Sequence, residues 1–227
     1  MLFRSRIYHM YIIPGGVRGL LPDGFEGRME ETLKTIEGFM TDIDRVMFNN
    51  AVFKKRSVGM GYIDPKWIYQ YGITGPNARG AGIPNDVRKD YPYLKYPELD
   101  FEPVIGKDSD IYTRADVRRR DLHLSIDLIR QIMAKMPKNG DFKAPTPNVL
   151  HWKVAPGETY IRSECTRGEF GYYMVSDGTE YPRRINVRGP SYTHAVALLE
   201  KMIINANLAD VAGLMTSLHT YPPEIER

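Results

Sequence analysis

The stretch from Gly157 to Ser191, GETYIRSECTRGEFGYYMVSDGTEYPRRINVRGPS, constrains this chain most, because it has to bury apolar side chains while accommodating many charges. It reads as three short strands, Thr159 to Arg167, Glu169 to Ser176 and Arg183 to Arg188. The last two are joined at Asp177-Gly178, a dipeptide suited to the positive φ of tight turns. Arg162, Glu164, Arg167, Glu169, Arg183, Arg184 and Arg188 share these segments with Tyr160, Ile161, Phe170, Tyr172, Tyr173, Val175, Ile185 and Val187. An unpaired ion in a core costs several kcal/mol, so these charges must face water or be paired. Arg167-Gly168-Glu169 at the strand break leaves two readings open: a guanidinium pushed into a cavity, or one rung of an exposed ion-pair ladder.

Around this segment the pattern is helical. Phe25, Met29, Leu33, Ile36, Met40, Ile43 and Met47 recur at steps of three and four, and predict an amphipathic helix ending near Asn49-Asn50. Asp23 with Glu26 three residues on supplies the expected N-cap pair. Asp64-Pro65 opens a short helix through Tyr71, with Gly72 as its stop. Asp108-Ser109-Asp110 caps a long helix whose apolar face runs from Ile111 through Ala115, Leu122, Ile126, Ile129 and Met133 to Met136, stopped by Pro137 and Asn139-Gly140. Arg118, Arg119 and Arg120 in its middle read as a solvated or partner-facing surface. Ser191 opens a helix through Ile204, and Asn207 with Asp210 opens a last one through Ser217. The remaining segment to Arg227 reads as irregular, and termini of that polarity usually fray.

Between these helices lies Thr74-Gly75-Pro76-Asn77-Ala78-Arg79-Gly80-Ala81-Gly82-Ile83-Pro84, a loop able to approach another group closely. Its spacing fits no nucleotide-binding glycine pattern. The expected fold class is therefore α+β, mainly α: long helices with one small antiparallel three-stranded sheet, in one domain over residues 1–227. Composition narrows function mostly by exclusion. A net charge of +3, with basic and acidic residues interleaved, gives no argument for nucleic acid. Cys165 is the single cysteine, which rules out an internal disulfide framework or a multi-cysteine metal site built by this chain alone. Met1 to Ile13 has no apolar signal-peptide core, and the best apolar run, Ala195 to Met215, is broken by Glu200, Lys201 and Asp210.

Several strings carry a resemblance. RIYHMYIIPGGVRGLLPDG, GITGPNARGAGI with DVRKDYPY, the GETYIRSECTRGEFGYYMVSDG hairpin, RGPS and SLHTYPPEIER stand in one order along the whole chain. In that order and spacing they resemble the large subunit shared by membrane-bound [NiFe]-hydrogenases, membrane-bound sulfane reductases and the D (49 kDa type) subunit of NADH:quinone oxidoreductase, complex I. The resemblance is to the C-terminal half of that subunit. Arg167-Gly168 resembles the arginine that overhangs the active-site cavity in the hydrogenases. The ending resembles their Asp-Pro-Cys-x-x-Cys-x-x-Arg, with His219 in the Asp place, Tyr221 and Glu224 in the cysteine places, and Arg227 kept. Tyrosine and carboxylate are poor replacements for soft thiolates, so no [NiFe] centre, and no metal site, is expected here.

The resemblance implies a peripheral subunit, on the cytoplasmic face of the cell membrane, of a complex I-like oxidoreductase coupled to ion translocation. Electrons from an iron–sulfur cluster in a partner subunit would reach a quinone-type or sulfur-type acceptor in a cavity lined by Arg167, Glu224, His219 and Arg227. Arg79 and Tyr221 are weaker, cofactor-facing candidates. His219 or Glu224 would relay protons, and the chain alone would bind no cofactor. The implied partners are the N-terminal half of the large subunit, the iron–sulfur small (B-type) subunit and the membrane-arm subunits. Two other readings remain: a ferredoxin-linked sulfane or polysulfide reductase, to which PYLKYPELDFEP, RGPSYTH and PPEIER are nearer, and a subunit that only packs a separate catalytic chain.

Overall fold

The computed structural model describes residues 11–137, 140–146 and 151–226. Arg227, Asn139 and the first residues of the N-terminal string lie outside them. A two-strand ribbon, β1 (Ile12–Ile13) with β2 (Gly16–Val17), precedes α1 (Phe25–Ile43), which runs on through a π-turn, Asp44–Phe48. α2 (Ala51–Ser57), α3 (Pro65–Tyr71), α4 (Pro76–Gly80) and α5 (Val87–Asp90) follow, then the long α6 (Ile111–Lys135). β3 (Gly157–Cys165), β4 (Gly168–Ser176) and β5 (Arg184–Arg188) form one antiparallel sheet in sequence order. The chain closes with α7 (Pro190–Thr193), a π-turn (His194–Leu199), α8 (Glu200–Met202), α9 (Leu208–Leu218) and α10 (Pro222–Ile225). This is the expected α+β, mainly helical class.

α6 is the spine, because different sides of it enter three core clusters. Ile111 joins Ile63, Ile68, Ile73, Leu198, Leu214 and Leu218. Ile126 meets Leu33 and Met40 of α1, and Leu128 meets Leu99 and Phe101. Burying each of these side chains contributes roughly 1.5–3 kcal/mol against leaving it exposed. α1 is further held to α6 by Arg130, which bridges Glu30 (3.0 Å) and Glu37 (2.7 Å) at the surface. At its N-terminal end α6 buries Arg114 completely (0 % exposed), where it donates to the carbonyls of Gly61 and Ser109 and to Ser217 Oγ. Burial pushes this guanidinium down to about 9. Three donors aimed at oxygens on three segments tie α6, α9 and the loop before α3 together.

Several local expectations change. The cap of α1 is Gly24 in the left-handed conformation and not Asp23; the Asp23 carbonyl accepts from Arg28. α2 has no forerunner in the sequence reading, although Asn50 caps it by accepting from Val52 N and Phe53 N. The Thr74–Pro84 loop contains α4. Helix and loop differ here because Pro76 starts the turn and tertiary contacts, not length, stabilise five residues. The last described segment is not irregular: Pro222 and Pro223 open α10, whose Glu224 is 2 % exposed.

Candidate active site

The strand break is a hairpin turn. β3 and β4 pair from Gly157↔Ser176 to Cys165↔Gly168, so Thr166 and Arg167 form the turn rather than the end of a strand. Gly168 lies against Thr74 and Gly75; a Cβ on Gly75 would collide with the Gly168 backbone, and one on Gly168 with the Thr74 hydroxyl. Only glycine on both sides permits this approach. It seats the hairpin turn on the α4 loop, and Glu169 N donates to Thr74 Oγ1 (2.9 Å) to fix it.

The charged strands divide between the two arrangements, and neither is quite the one expected: the ladder centres on a buried Glu169, and Arg167 reaches a buried carboxylate rather than the cavity lining. With a two-residue period, Arg162, Glu169 and Arg188 share one face, and Glu169 pairs with Arg188 (2.8 Å) and Arg162 (3.6 Å) as an ion-pair ladder. Arg167 instead leaves the sheet. Its Nε donates to Glu224 Oε2 at 2.5 Å, and its guanidinium carbon stands 4.9 Å from the centre of the Tyr221 ring. Glu224 is closely held: Oε1 accepts from Ser191 N (3.0 Å) and Oε2 from Ser191 Oγ (2.9 Å). Ser191 Oγ also accepts from Tyr221 N (3.1 Å). Gly189 completes the seat, since a Cβ there would overlap the Glu224 side chain.

Beside this pair lies a cavity of about 420 Å³, walled by α4, α5, α6 and the hairpin turn. His219 enters it from the end of α9, where it takes a left-handed φ of 54°. Partial burial, Arg118 and Arg167 all press the His219 imidazole below its ordinary pKa, against Glu224, which acts to raise it. Arg79 and Arg118 also line the cavity. Arg79 is 5 % exposed and pairs with Asp86 (3.1 Å) and with Asp121. Burial tends to raise the Asp86 carboxyl, but Arg88 and Arg79 outweigh it and hold that group below its usual range. At Asp121 burial wins and the pKa is raised.

The structure therefore brings Arg167, Glu224, Tyr221 and His219 together, with His219 and Arg79 on the cavity wall. Glu224 and Arg167 form the buried pair behind it and are not among its lining residues. Arg118 corrects the surface reading of the three arginines. Successive helical positions are about 100° apart, so only one of the three can turn inward. Arg118 donates to Asn77 Oδ1 (3.0 Å), and burial pushes it down to about 10. Arg119 and Arg120 stay on the surface with Asp44 and Asp116. Ser191, Asn77 and His194 were missed as functional candidates, although Ser191 and Asn77 stand inside the strings RGPS and GPNARG.

Known proteins share this architecture. The model of the family described as "Respiratory-chain NADH dehydrogenase, 49 Kd subunit" matches residues 2–227, so the chain belongs to that family of large subunits of respiratory oxidoreductase complexes. Among individual relatives, the D subunit of NADH-quinone oxidoreductase from Thermosipho melanesiensis is 37 % identical over 98 % of this chain and 61 % of its own length. The D subunit of F(420)H(2) dehydrogenase from Methanosarcina mazei is 33 % identical, over 100 % of this chain and 61 % of its own. A chain of the solved membrane-bound sulfane sulfur reductase, an archaeal respiratory membrane complex, superposes with a TM-score of 0.92 at 42 % identity, over 98 % of this chain and 61 % of that one. The chain thus spans about three fifths of the length of the relatives it matches. No helix among the described residues is long and apolar enough to cross a membrane.

Proposed function

We propose that the 420 Å³ cavity belongs to the place where electrons from an iron–sulfur cluster of a partner subunit reach a quinone-type acceptor, in a membrane-associated, complex I-like oxidoreductase whose turnover drives ion translocation. One observation carries this reading: the hairpin turn, the ends of α9 and α10 and the start of α7 converge on Arg167, Glu224 and His219 beside that cavity. Among the described residues the Arg167 fork makes one ion pair, through Nε, and its terminal amino groups have no hydrogen-bond partner. A guanidinium held from behind in this way stabilises negative charge developing in front of it. Two-electron reduction of a quinone also takes up two protons. His219 is suited to hand them on, because its imidazole is neutral at neutral pH and gains basicity as an anion forms nearby. Glu224 accepts three hydrogen bonds and is better read as the anchor of Arg167 than as a relay.

A second reading, a sulfane or polysulfide reductase, is favoured by the 42 % identity and 0.92 TM-score to the sulfane reductase chain. The same cavity and arginine would serve it, with a sulfur anion in place of the quinone oxygen. The partners we infer are the rest of the large subunit, an iron–sulfur small (B-type) subunit and membrane-arm subunits at the cytoplasmic face. An apolar groove of about 520 Å³ between Met40, Met47 and Phe48 on one side and Ala212 and Gly213 on the other suits the rest of the large subunit. The relatives continue over the further two fifths of their length that this chain does not span. The experiment is Arg167→Lys in the assembled complex. It keeps one charge but loses the planar fork, and turnover should fall roughly ten- to a thousand-fold with subunit and cluster content unchanged. Unchanged turnover, or a complex that falls apart, would make Arg167 a structural residue.

A further inference from the structure

Asn77 is 0 % exposed, and its single amide meets three groups. Oδ1 accepts from Arg118 Nη2 (3.0 Å), while Nδ2 donates to the Leu218 carbonyl (3.0 Å) and faces His194 Nδ1 at 3.1 Å. A guanidinium only donates and a backbone carbonyl only accepts, so the orientation of the amide is fixed by its partners. It follows that His194 Nδ1 accepts, and the neutral ring carries its proton on Nε2. That ring is fully buried at the start of the π-turn His194–Leu199, and burial, then Arg118, His219 and Arg167, push it down to about 3. The tautomer required by the hydrogen bonds and the charge state imposed by burial agree.

We propose that Asn77 is the positioning residue of this site: through one amide it holds the Arg118 guanidinium beside the cavity and fixes the Leu218–His219 peptide from which the site's histidine enters it. The inference rests on reading His219 as the proton-handling group. Leu218 closes α9, and the carbonyl that Asn77 grips precedes the left-handed turn at His219. The charges facing His219 are Arg118 from α6, Arg167 from the hairpin turn, Glu224 from α10 and, from the π-turn, the neutral His194. Across the cavity stand Arg79, Asp86, Arg88, Asp121, Glu164 and Glu169. Arg118 is the nearer wall's cation whose orientation is set by an uncharged side chain.

The test uses the assembled complex and diethyl pyrocarbonate, which acylates neutral imidazole, with labelling of His219 followed against pH by peptide mass spectrometry. In the unaltered protein the midpoint should lie below the ordinary histidine value of about 6.5. Asn77→Asp puts a carboxylate against Arg118 and should raise the midpoint by roughly half to one unit. Arg118→Gln, which keeps a donor for Asn77 Oδ1 but removes the charge, should raise it in the same direction. A midpoint that stays where it was in either variant overturns the proposal, and so does failure of both variants to assemble, which would make Asn77 a packing residue only. Turnover against pH is recorded in parallel. A moved His219 midpoint with an unmoved activity profile would leave Asn77 as its positioning residue and remove His219 from the proton path.

Discussion

Arg167 and Glu224 are 57 residues apart in the sequence and 2.5 Å apart in the fold, and what holds Glu224 in place to receive the guanidinium is Ser191. A buried carboxylate must have its lone pairs occupied, and Ser191 supplies both a backbone N–H and a hydroxyl. Ser191→Ala removes the hydroxyl donor but keeps the backbone one, and should destabilise this corner by about 1–3 kcal/mol, read as faster hydrogen exchange across residues 188–194. Gly189→Ala should be worse for function, because the new methyl occupies the space of the Glu224 side chain. Overpacking of this kind costs about 1–3 kcal/mol. The expected result is a released Arg167 and an acceptor reduction rate cut at least as far as by Arg167→Lys. Equal rates in Gly189→Ala and the unaltered complex would contradict the anchoring role given to Glu224.

The elements that were legible in the sequence are those whose own pattern decides them. α1 and α6 have a 3.6-residue apolar period, α3 and α9 have their cap residues, and Asp64, Asp110 and Asn207 cap three of the four as expected. α4 and α10 were not legible, since four or five residues cannot form a helix by propensity; they are held by Gly75 against Gly168 and by Glu224 against Ser191. The cavity was half legible. Of the residues that the family resemblance implied as its lining, His219 lines it while Arg167 and Glu224 stand behind it; Arg118 was hidden in a run of three arginines and Asn77, behind the wall, in a loop. Buried polar residues make demands on distant segments, and no local pattern records those demands. Arg114 is the clearest case in α6. Replacing it with Met would orphan the Gly61 and Ser109 carbonyls and should cost about 2–4 kcal/mol, while Arg119→Ala, on the half-exposed side, should cost less than about 1 kcal/mol. Denaturant midpoints of the assembled complex check the contrast.

The π-turn after α7 adds a pH dependence. His194 titrates near 6.5 when unfolded and at about 3 when folded, so the unfolded chain binds the extra proton between those values. Its contribution is therefore complete above pH 6.5 and is lost as the pH falls toward 3. His194→Asn keeps an acceptor for Asn77 and removes the titration. Hydrogen exchange of residues 190–202 between about pH 7 and 4 should become less steeply pH-dependent in that variant, and an unchanged slope would count against the burial argument.

At the scale of the molecule, the chain has one charged sheet face engaged with its own helices and several apolar surfaces left open. Phe39, Val46 and Val52 are exposed around the α1 groove, and Ile161, Tyr172 and Ile185 on the outer sheet face. Exposed patches of this kind mark surfaces for other protein segments. Produced alone, the chain should aggregate or melt at low temperature, and co-production with the rest of the large subunit should raise its melting point; a monodisperse, cooperatively melting isolated chain would argue against that dependence.

Whether the acceptor meets the protein beside Arg167 is tested most directly by irradiating the assembled complex with a quinone analogue bearing a diazirine on its headgroup, and mapping the adducts. The predicted result is labelling on the hairpin turn from Cys165 to Gly168, on residues 75–79 or on His219, lost in excess unlabelled quinone. Adducts confined to other subunits or to the outer sheet face, with none at those positions, would contradict it.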